Sequence, residues 1–166
     1  MGKVFIDCYF NVKYSFAVNI VIKQVDFFTV YEIWVNHLWP NRHSIIEPTS
    51  SMKFLGGYDL KNMNYNPTFF AYYINDEIAG VNSGHMCLDN QYRSRGLYVF
   101  PEHRKKGIGT ELLLYTIEQA KKENAEMTWS YPRLQSWTTY KNAGFTLASD
   151  WEESELGLNA YCMRKL

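Results

Sequence analysis

The stretch between residues 97 and 122 constrains the fold of this chain more than any other. It begins with the apolar run Leu97–Phe100, rich in β-branched and aromatic residues, which is typical of a strand. Pro101 has no N–H to give to a sheet ladder and therefore ends that strand. Further on, apolar residues recur at helical spacing, at Leu113, Ile117 and Ala120. The sequence thus predicts a strand, a turn and a helix in succession.

The turn between these two elements combines cationic side chains with glycines. Its residues are Arg104, Lys105, Lys106, Gly107, Ile108, Gly109 and Thr110. The first N–H groups of a helix have no partner within it, and the helix dipole makes this end partly positive. Because glycine has no Cβ, an anion can approach the main chain closely. The turn therefore suits a phosphate or pyrophosphate, and a tight connection on a basic surface is the alternative.

Two motifs resemble those of the GNAT acetyltransferase superfamily. The first is Arg104-x-x-Gly107-x-Gly109, directly after the run Leu-Tyr-Val and directly before a helix, and it is similar to the acyl-CoA pyrophosphate loop. The second is the stretch Tyr140–Phe145, which is similar to the superfamily's late Tyr-x-x-x-Gly-Phe signature. The two motifs come in the family's order and at about its separation. The spacing matches neither a Walker loop nor the dinucleotide-binding GxGxxG pattern.

The resemblance implies a mixed α/β (α+β) fold, with a central and mostly antiparallel sheet flanked by helices, in one domain over residues 1–166. It implies an N-acetyltransferase that moves an acetyl group from acetyl-CoA to an amine by direct attack in a ternary complex. The acceptor would be a small molecule or a peptide. A catalytically weak acyl-CoA-binding or regulatory module on the same fold is the alternative, and an interaction protein with an aromatic surface is a third interpretation.

Residues of the two motifs take site roles from the resemblance. The pantetheine arm would pair with Leu97, Tyr98 and Val99, and the N–H of Val99 would face the thioester oxygen. The pyrophosphate would sit on the turn Lys105–Thr110, with added charge from Arg104 and Lys106. Asn142 would line the cofactor path.

The catalytic residues are less clearly marked than the cofactor loop. Tyr140 is the expected acid for the leaving thiolate, with a packing tyrosine as the alternative. Many relatives carry a glutamate base where this chain has Arg95, and arginine stays protonated. His85 is a candidate base in its place. Arg93 and Arg95 indicate an acidic acceptor or one with a carboxylate, unless they pair with acids such as Asp89.

Composition excludes several other classes. The 166 residues carry a formal net charge of zero, which gives no argument for a nucleic-acid partner. No apolar stretch is long enough to span a bilayer, so we expect a cytoplasmic protein with no membrane partner. The three cysteines form no CxxC pair and the four histidines show no metal spacing, so we expect no metal.

The remaining elements follow from local patterns. The alternation of apolar and polar residues over 4–18 predicts an added edge strand, a dimer element or a leader. A homodimer is therefore one of the alternatives. The predicted strands are Ile20–Val25, Phe69–Ile74, Ile78–Cys87, Tyr92–Phe100, Met127–Tyr131, and a closing hairpin of 145–148 with 158–163. The predicted helices are one over 27–38 capped by Asp26, a short one over Ser51–Leu55, the one from Thr110 with a Glu118–Lys122 pair, and one over Arg133–Ala143 opened by Pro132.

Overall fold

The structure is a computed structural model, and it describes residues 18–166. Nine strands are present in this part of the chain: β1 Ile20–Val25, β2 Thr68–Ile74, β3 Glu77–Met86, β4 Gln91–Val99, β5 Met127–Ser130, β6 Thr146–Leu147, β7 Glu152–Ser154, β8 Gly157–Asn159 and β9 Cys162–Lys165. The α-helices are α1 Phe27–Ile33, α2 Ile108–Lys122 and α3 Trp137–Asn142. A π-turn over Trp34–Leu38 extends α1, and a 3-10 turn covers Leu60–Asn64. The predicted mixed α/β class is confirmed.

Seven strands form one sheet in the order β1-β2-β3-β4-β5-β9-β6, and β7 pairs with β8 in a separate hairpin. Every pair in the large sheet is antiparallel except β4 with β5. Helix α1 covers one face, where Val30, Trp34 and Phe69 share a buried cluster. Helix α2 covers the other face, where Ile108 and Leu112 pack against β2 and β3. The alternation of β2, with neighbouring residues buried on opposite faces, supplies apolar side chains to both layers.

The central strand β4 contains a β-bulge. Its register with β3 shifts between Val81 and Ser83, and Gly96 has a φ of +76°. A bulge adds one residue and changes which face the following side chains point to. Beyond it, Leu97 packs on the α2 side and Tyr98 packs on the α1 side. The bulge therefore sets which side chains of β4 face each layer near its end.

Local signals explain the ends of two helices. The Asp26 side chain accepts a hydrogen bond from the N–H of Thr29 at 2.8 Å, so this predicted N-cap is present. Gly144 follows α3 with a φ of +84°, which is the left-handed conformation that ends many helices. The cap at Asp26 was identified from sequence, because capping depends on near neighbours.

Three predictions of local structure were wrong. Residues 51–55 form no helix, because Met52 makes an antiparallel bridge with Tyr58. Pro132 opens no helix, because Arg133 is extended and bridges Asn159.

The ion pair of α2 also differs: Glu118 pairs with Lys121 at 2.7 Å rather than with Lys122. The predicted closing hairpin is present in part, since Thr146–Leu147 pairs with Cys162 and Met163 of β9, while Gly157–Asn159 pairs with β7 instead. The alternating segment 4–18 lies outside the described residues except for its last member.

Candidate active site

A cavity of about 1410 Å³ opens where β4 and β5 separate. These strands pair only from Gln91 to Arg93 on β4, whereas β4 continues to Val99. Because parallel neighbours that diverge leave a gap between them, side chains from both faces of the sheet reach this opening. The cavity is lined at one end by the turn before α2 and at the other by the loop between the π-turn and residue 63.

The turn before α2 forms one end of the cavity. Lys105 and Gly107 have φ values of +59° and +83°, so the chain turns sharply before the helix begins at Ile108. Of the predicted pyrophosphate residues, six line the cavity: Arg104, Lys105, Gly107, Ile108, Gly109 and Thr110. Lys106 does not, because its Nζ donates a hydrogen bond to the carbonyl oxygen of Glu102 at 2.9 Å. The end of α2 that carries free N–H groups thus faces the cavity beside two cations.

The two glycines of this turn are required for different structural reasons. Gly107 needs its positive φ, and a Cβ there would meet nothing closer than Glu111 Oε1 at 3.9 Å. A Cβ on Gly109 would lie 2.8 Å from Thr139 Cγ2, so its absence lets α2 and α3 approach closely. Gly109 therefore has a role in helix packing in addition to the role expected for both glycines, which is to let an anion approach the main chain.

The end of β4 forms the middle of the cavity. Leu97, Tyr98 and Val99 all line it. The Arg104 side chain reaches back, and its Nε donates a hydrogen bond to the Val99 carbonyl oxygen at 2.9 Å. The strand end and the basic turn are thereby tied together, so a ligand in the cavity meets both.

Tyr140 lies at the inner wall, with 4% of its surface exposed. Its hydroxyl oxygen accepts a hydrogen bond from Ser130 Oγ at 3.3 Å, and its ring packs edge-on against Phe145. Burial raises the pKa of the Tyr140 phenol well above its ordinary value of 10.0, so it is protonated at neutral pH. Asn142 follows on the same short helix, is exposed and also lines the cavity.

His85 does not line the cavity; it is the second-last residue of β3 and is fully buried. Its Nδ1 hydrogen-bonds the Met86 carbonyl oxygen at 2.9 Å, and Nε2 has no partner among the described residues. Burial, together with the nearby Arg93 and Arg95 cations, lowers the pKa of His85 from 6.5 to about 3. A base must reach the proton it removes, so this placement does not support His85 as the general base.

Arg93 and Arg95 both line the cavity although only 8% and 6% of their surfaces are exposed. Burial is the main cause that lowers the pKa of Arg93 to about 10 and that of Arg95 to about 9. Both are charged at neutral pH. The sequence left open an ion pair with Asp89, but no carboxylate forms a salt bridge with either arginine within residues 18–166.

Sequence reasoning missed other parts of the lining. The missed residues are the aromatic side chains Trp39, Tyr58, Tyr131 and Tyr161, the arginines Arg42 and Arg133, and Ser130. They come from the loop after the π-turn, from the end of β5 with the residues that follow it, and from the link between β8 and β9, which meet only in the folded chain. The high aromatic content of the chain, 17%, is the one signal in the sequence for the aromatic members of this set.

Comparison with known proteins agrees with this architecture. The family model of the acetyltransferase (GNAT) family matches residues 31–145, and the chain belongs to that family. The protein is therefore an acyltransferase of the GNAT type. A search of curated proteins found no match.

Solved structures share the fold at low sequence identity. An IAA acetyltransferase from Bacillus cereus superposes with a TM-score of 0.64 at 14% identity, covering 89% of this chain and 100% of its own. A GNAT-family acetyltransferase from Staphylococcus aureus gives 0.62 at 15% identity, covering 89% and 99%. A Bacillus subtilis acetyltransferase in complex with CoA gives 0.59 at 14% identity, covering 90% and 99%.

Membrane-spanning helices and metal-binding clusters are both absent from residues 18–166. None of the helices in this part of the chain combines the length and the apolar character needed to cross a bilayer. Within residues 18–166, no three histidine, cysteine or acidic side chains gather as a metal site would require.

Proposed function

We propose that this protein transfers an acetyl group from acetyl-CoA to an amine by direct attack in a ternary complex. The observation that carries the proposal is the single cavity that runs from the basic turn before α2, along the end of β4, to Tyr140. A donor and an acceptor can meet in such a cavity without a covalent enzyme intermediate. Cys87 and Cys162 are buried and do not line it, which supports direct attack.

The turn end of the cavity fits the pyrophosphate of acetyl-CoA. The first N–H groups of α2 would bind phosphate oxygens, and Arg104 and Lys105 would add positive charge. Leu97, Tyr98 and Val99 offer an open strand edge for the amides of the pantetheine arm, because β5 does not pair with them. A Bacillus subtilis neighbour of the same fold was solved with CoA, which supports this assignment.

The chemistry needs a proton donor at the leaving sulfur. Bound acetyl-CoA supplies a thioester: the amine nitrogen bonds to its carbonyl carbon, the C–S bond breaks, the nitrogen loses a proton and the sulfur gains one. Tyr140 would donate that proton, since its buried phenol is held in the protonated form and lines the cavity. Ser130, which hydrogen-bonds the hydroxyl, would fix its direction.

The acceptor's proton would pass to solvent. Arg95 cannot accept it, and among the described residues the carboxylates that line the cavity are the exposed Glu47 and Glu155. Because these lining residues are exposed, a water molecule in the cavity can take the proton from an amine that binds in its cationic form.

A thiol-release assay with acetyl-CoA and a panel of amines tests the proposal. We expect release with one class of amine, and a fall in kcat of about a hundredfold or more in Tyr140→Phe, the size expected for a lost general acid. Tyr115→Phe is the matched control, because Tyr115 lies on α2 outside the cavity.

Three results would count against the proposal. Equal kcat values for Tyr140→Phe and the parent would remove Tyr140 from the reaction. Binding of acetyl-CoA by calorimetry without release for any amine would favour the binding-module alternative. Absence of acetyl-CoA binding would contradict the donor assignment itself.

A further inference from the structure

Arg93 and Arg95 lie two residues apart on the same face of β4, in the half of the cavity away from the basic turn. Arg42 and Arg133 line the same half. This second group of cations is separate from Arg104 and Lys105, which serve the proposed pyrophosphate site. The pyrophosphate of the donor, which we place at the turn before α2, does not account for this second group.

The present partners of the arginine pair are neutral. Arg93 Nη1 donates to Ser50 Oγ, its guanidinium lies 4.9 Å from the centre of the Trp129 ring, and its Nε is buried without a partner among the described residues. Arg95 Nη1 donates to the Glu47 carbonyl oxygen at 2.6 Å.

The Arg95 guanidinium also stacks on two indoles. Its carbon lies 4.9 Å from the centre of the Trp34 ring and 5.1 Å from that of Trp39. Aromatic faces and carbonyl oxygens orient a cation, but they do not neutralise it. The nearest acid in this half is Glu47, whose charge opposes the lowering of the Arg95 pKa but forms no salt bridge within the described part of the chain.

Two buried cations without a counter-ion are unfavourable unless an anion joins them. A purely structural role explains the hydrogen bond that ties Arg95 to the Glu47 loop. It does not explain the unpartnered Nε of Arg93, nor two charges side by side in a cavity wall. A guanidinium presents paired N–H donors that match the two oxygens of a carboxylate.

We propose that Arg93 and Arg95 bind a carboxylate of the acceptor, so that the acceptor is an amine with a carboxylate close to its amino group, as in an α-amino acid. This inference rests on the proposed acetyl transfer. The closeness follows from Ser130, whose Oγ lies 3.3 Å from the Tyr140 hydroxyl oxygen and 2.9 Å from the carbonyl oxygen of Ser94, the neighbour of Arg93 on β4. A carboxylate held at Arg93 therefore lies near the proposed proton donor.

The arginine pair would also affect the protonation state of the acceptor amine, for which no general base was identified among the residues that line the cavity. Two guanidiniums and one carboxylate leave a net positive charge beside the amino group. A neighbouring cation disfavours an ammonium and favours the neutral amine, which is the nucleophilic form. Arg95 would thus aid the reaction at the position where many relatives carry a glutamate, without itself moving a proton.

The first test uses pairs of amines that differ only by a carboxylate. Phenylalanine with phenethylamine, tryptophan with tryptamine, histidine with histamine and leucine with isoamylamine are assayed as acceptors with acetyl-CoA. We expect acetylation of one or more amino acids with kcat/KM at least about tenfold above that of the decarboxylated partner. Equal or better rates for the decarboxylated amines would overturn the inference while leaving the proposed acetyl transfer intact.

The second test measures binding without turnover. Calorimetry records the Kd of each amino acid in the absence of acetyl-CoA for the parent, Arg93→Gln, Arg95→Gln and the charge-conserving Arg93→Lys. We expect Kd to rise roughly tenfold to a thousandfold in the two glutamine variants, and less in Arg93→Lys.

Arg164→Gln is the matched control for the second test. Arg164 Nη1 donates to the Ala143 carbonyl oxygen at 2.6 Å, so its loss removes the same charge and the same kind of hydrogen bond outside the cavity. Thermal unfolding of each variant separates misfolding from lost binding. Unchanged Kd values in folded arginine variants, or no amino-acid binding by the parent, would overturn the inference. Arginine-dependent binding without acetylation would uphold the carboxylate site and count against the transfer reaction alone.

Discussion

The Trp34 indole Nε1 donates a hydrogen bond to the Gly96 carbonyl oxygen at 2.8 Å, across 62 residues of sequence. The same ring occupies the space beside the glycine, since a Cβ on Gly96 would lie 2.2 Å from Trp34 Cζ2. The helical layer thus fixes the β4 bulge by a hydrogen bond and by shape at once. The bulge in turn separates the arginine pair from the strand end that the proposed donor would use.

We expect Gly96→Ala to destabilise the fold by about 3 kcal/mol, since it adds overpacking against a buried ring to the strain of a positive φ. Gly157→Ala is the control, because Gly157 also has a positive φ but nothing lies within 4 Å of an added Cβ. That variant should lose only roughly 1–2 kcal/mol. Urea unfolding measures both, and equal losses would contradict the role of the Trp34 ring.

The contact between Gly109 and Thr139 gives a second prediction. Gly109→Ala should cost about 1–3 kcal/mol, because its Cβ would sit 2.8 Å from Thr139 Cγ2 and push α2 away from α3. Thr139→Ser removes that methyl group, so the double variant should regain much of the loss. A double-mutant cycle by urea unfolding gives the coupling energy. Additive losses would mean that Gly109 is required for a reason other than this contact.

The buried His85 predicts acid sensitivity. Its folded pKa of about 3 lies below its ordinary value of 6.5, so the unfolded chain binds the proton first as the pH falls. Its neutral form therefore stabilises the fold fully above pH 6.5, and that contribution is lost as the pH falls from 6.5 towards 3. The slope from this one group approaches about 1.4 kcal/mol per pH unit.

Urea unfolding of the parent and of His85→Gln between about pH 7 and about pH 4 would check this prediction. The variant should lose less stability over that interval, and the difference should grow towards low pH. His43→Gln, which changes an exposed side chain, is the control. Parallel curves for the parent and His85→Gln would show that the histidine does not titrate on unfolding.

Much of the fold followed from short-range patterns. The β-branched residues of Ile20–Val25 placed β1 correctly, and the helical spacing after residue 107 placed α2 to within two residues. The short segment Ser51–Leu55 was predicted as a helix because its residues permit one. In the structure it is a loop, because Met52 forms an antiparallel β-bridge with Tyr58. Local helix propensity does not predict such a contact.

The candidate site divides in the same way. The turn Arg104–Thr110 was identifiable because its residues are adjacent in sequence and form one motif. The sequence did not reveal that Lys106 lies outside the cavity or that His85 is buried, because each depends on which atoms surround the folded side chain. The side chain of Arg95 was visible as a departure from the family pattern, but its aromatic and carbonyl partners were not.

The sequence by itself determined the family, the central strand-turn-helix unit and the position of a basic turn with glycines, since periodicity, glycine and charge act over a few residues. Only the tertiary structure decided the bulge at Gly96, the gap between β4 and β5, and the two arginines, which have no counter-ion within residues 18–166. Arg93 meets Ser50 across 43 residues and Arg95 meets the Glu47 carbonyl across 48. Such contacts arise when distant segments pack together, and packing depends on the shape of the whole core rather than on any one stretch of the chain.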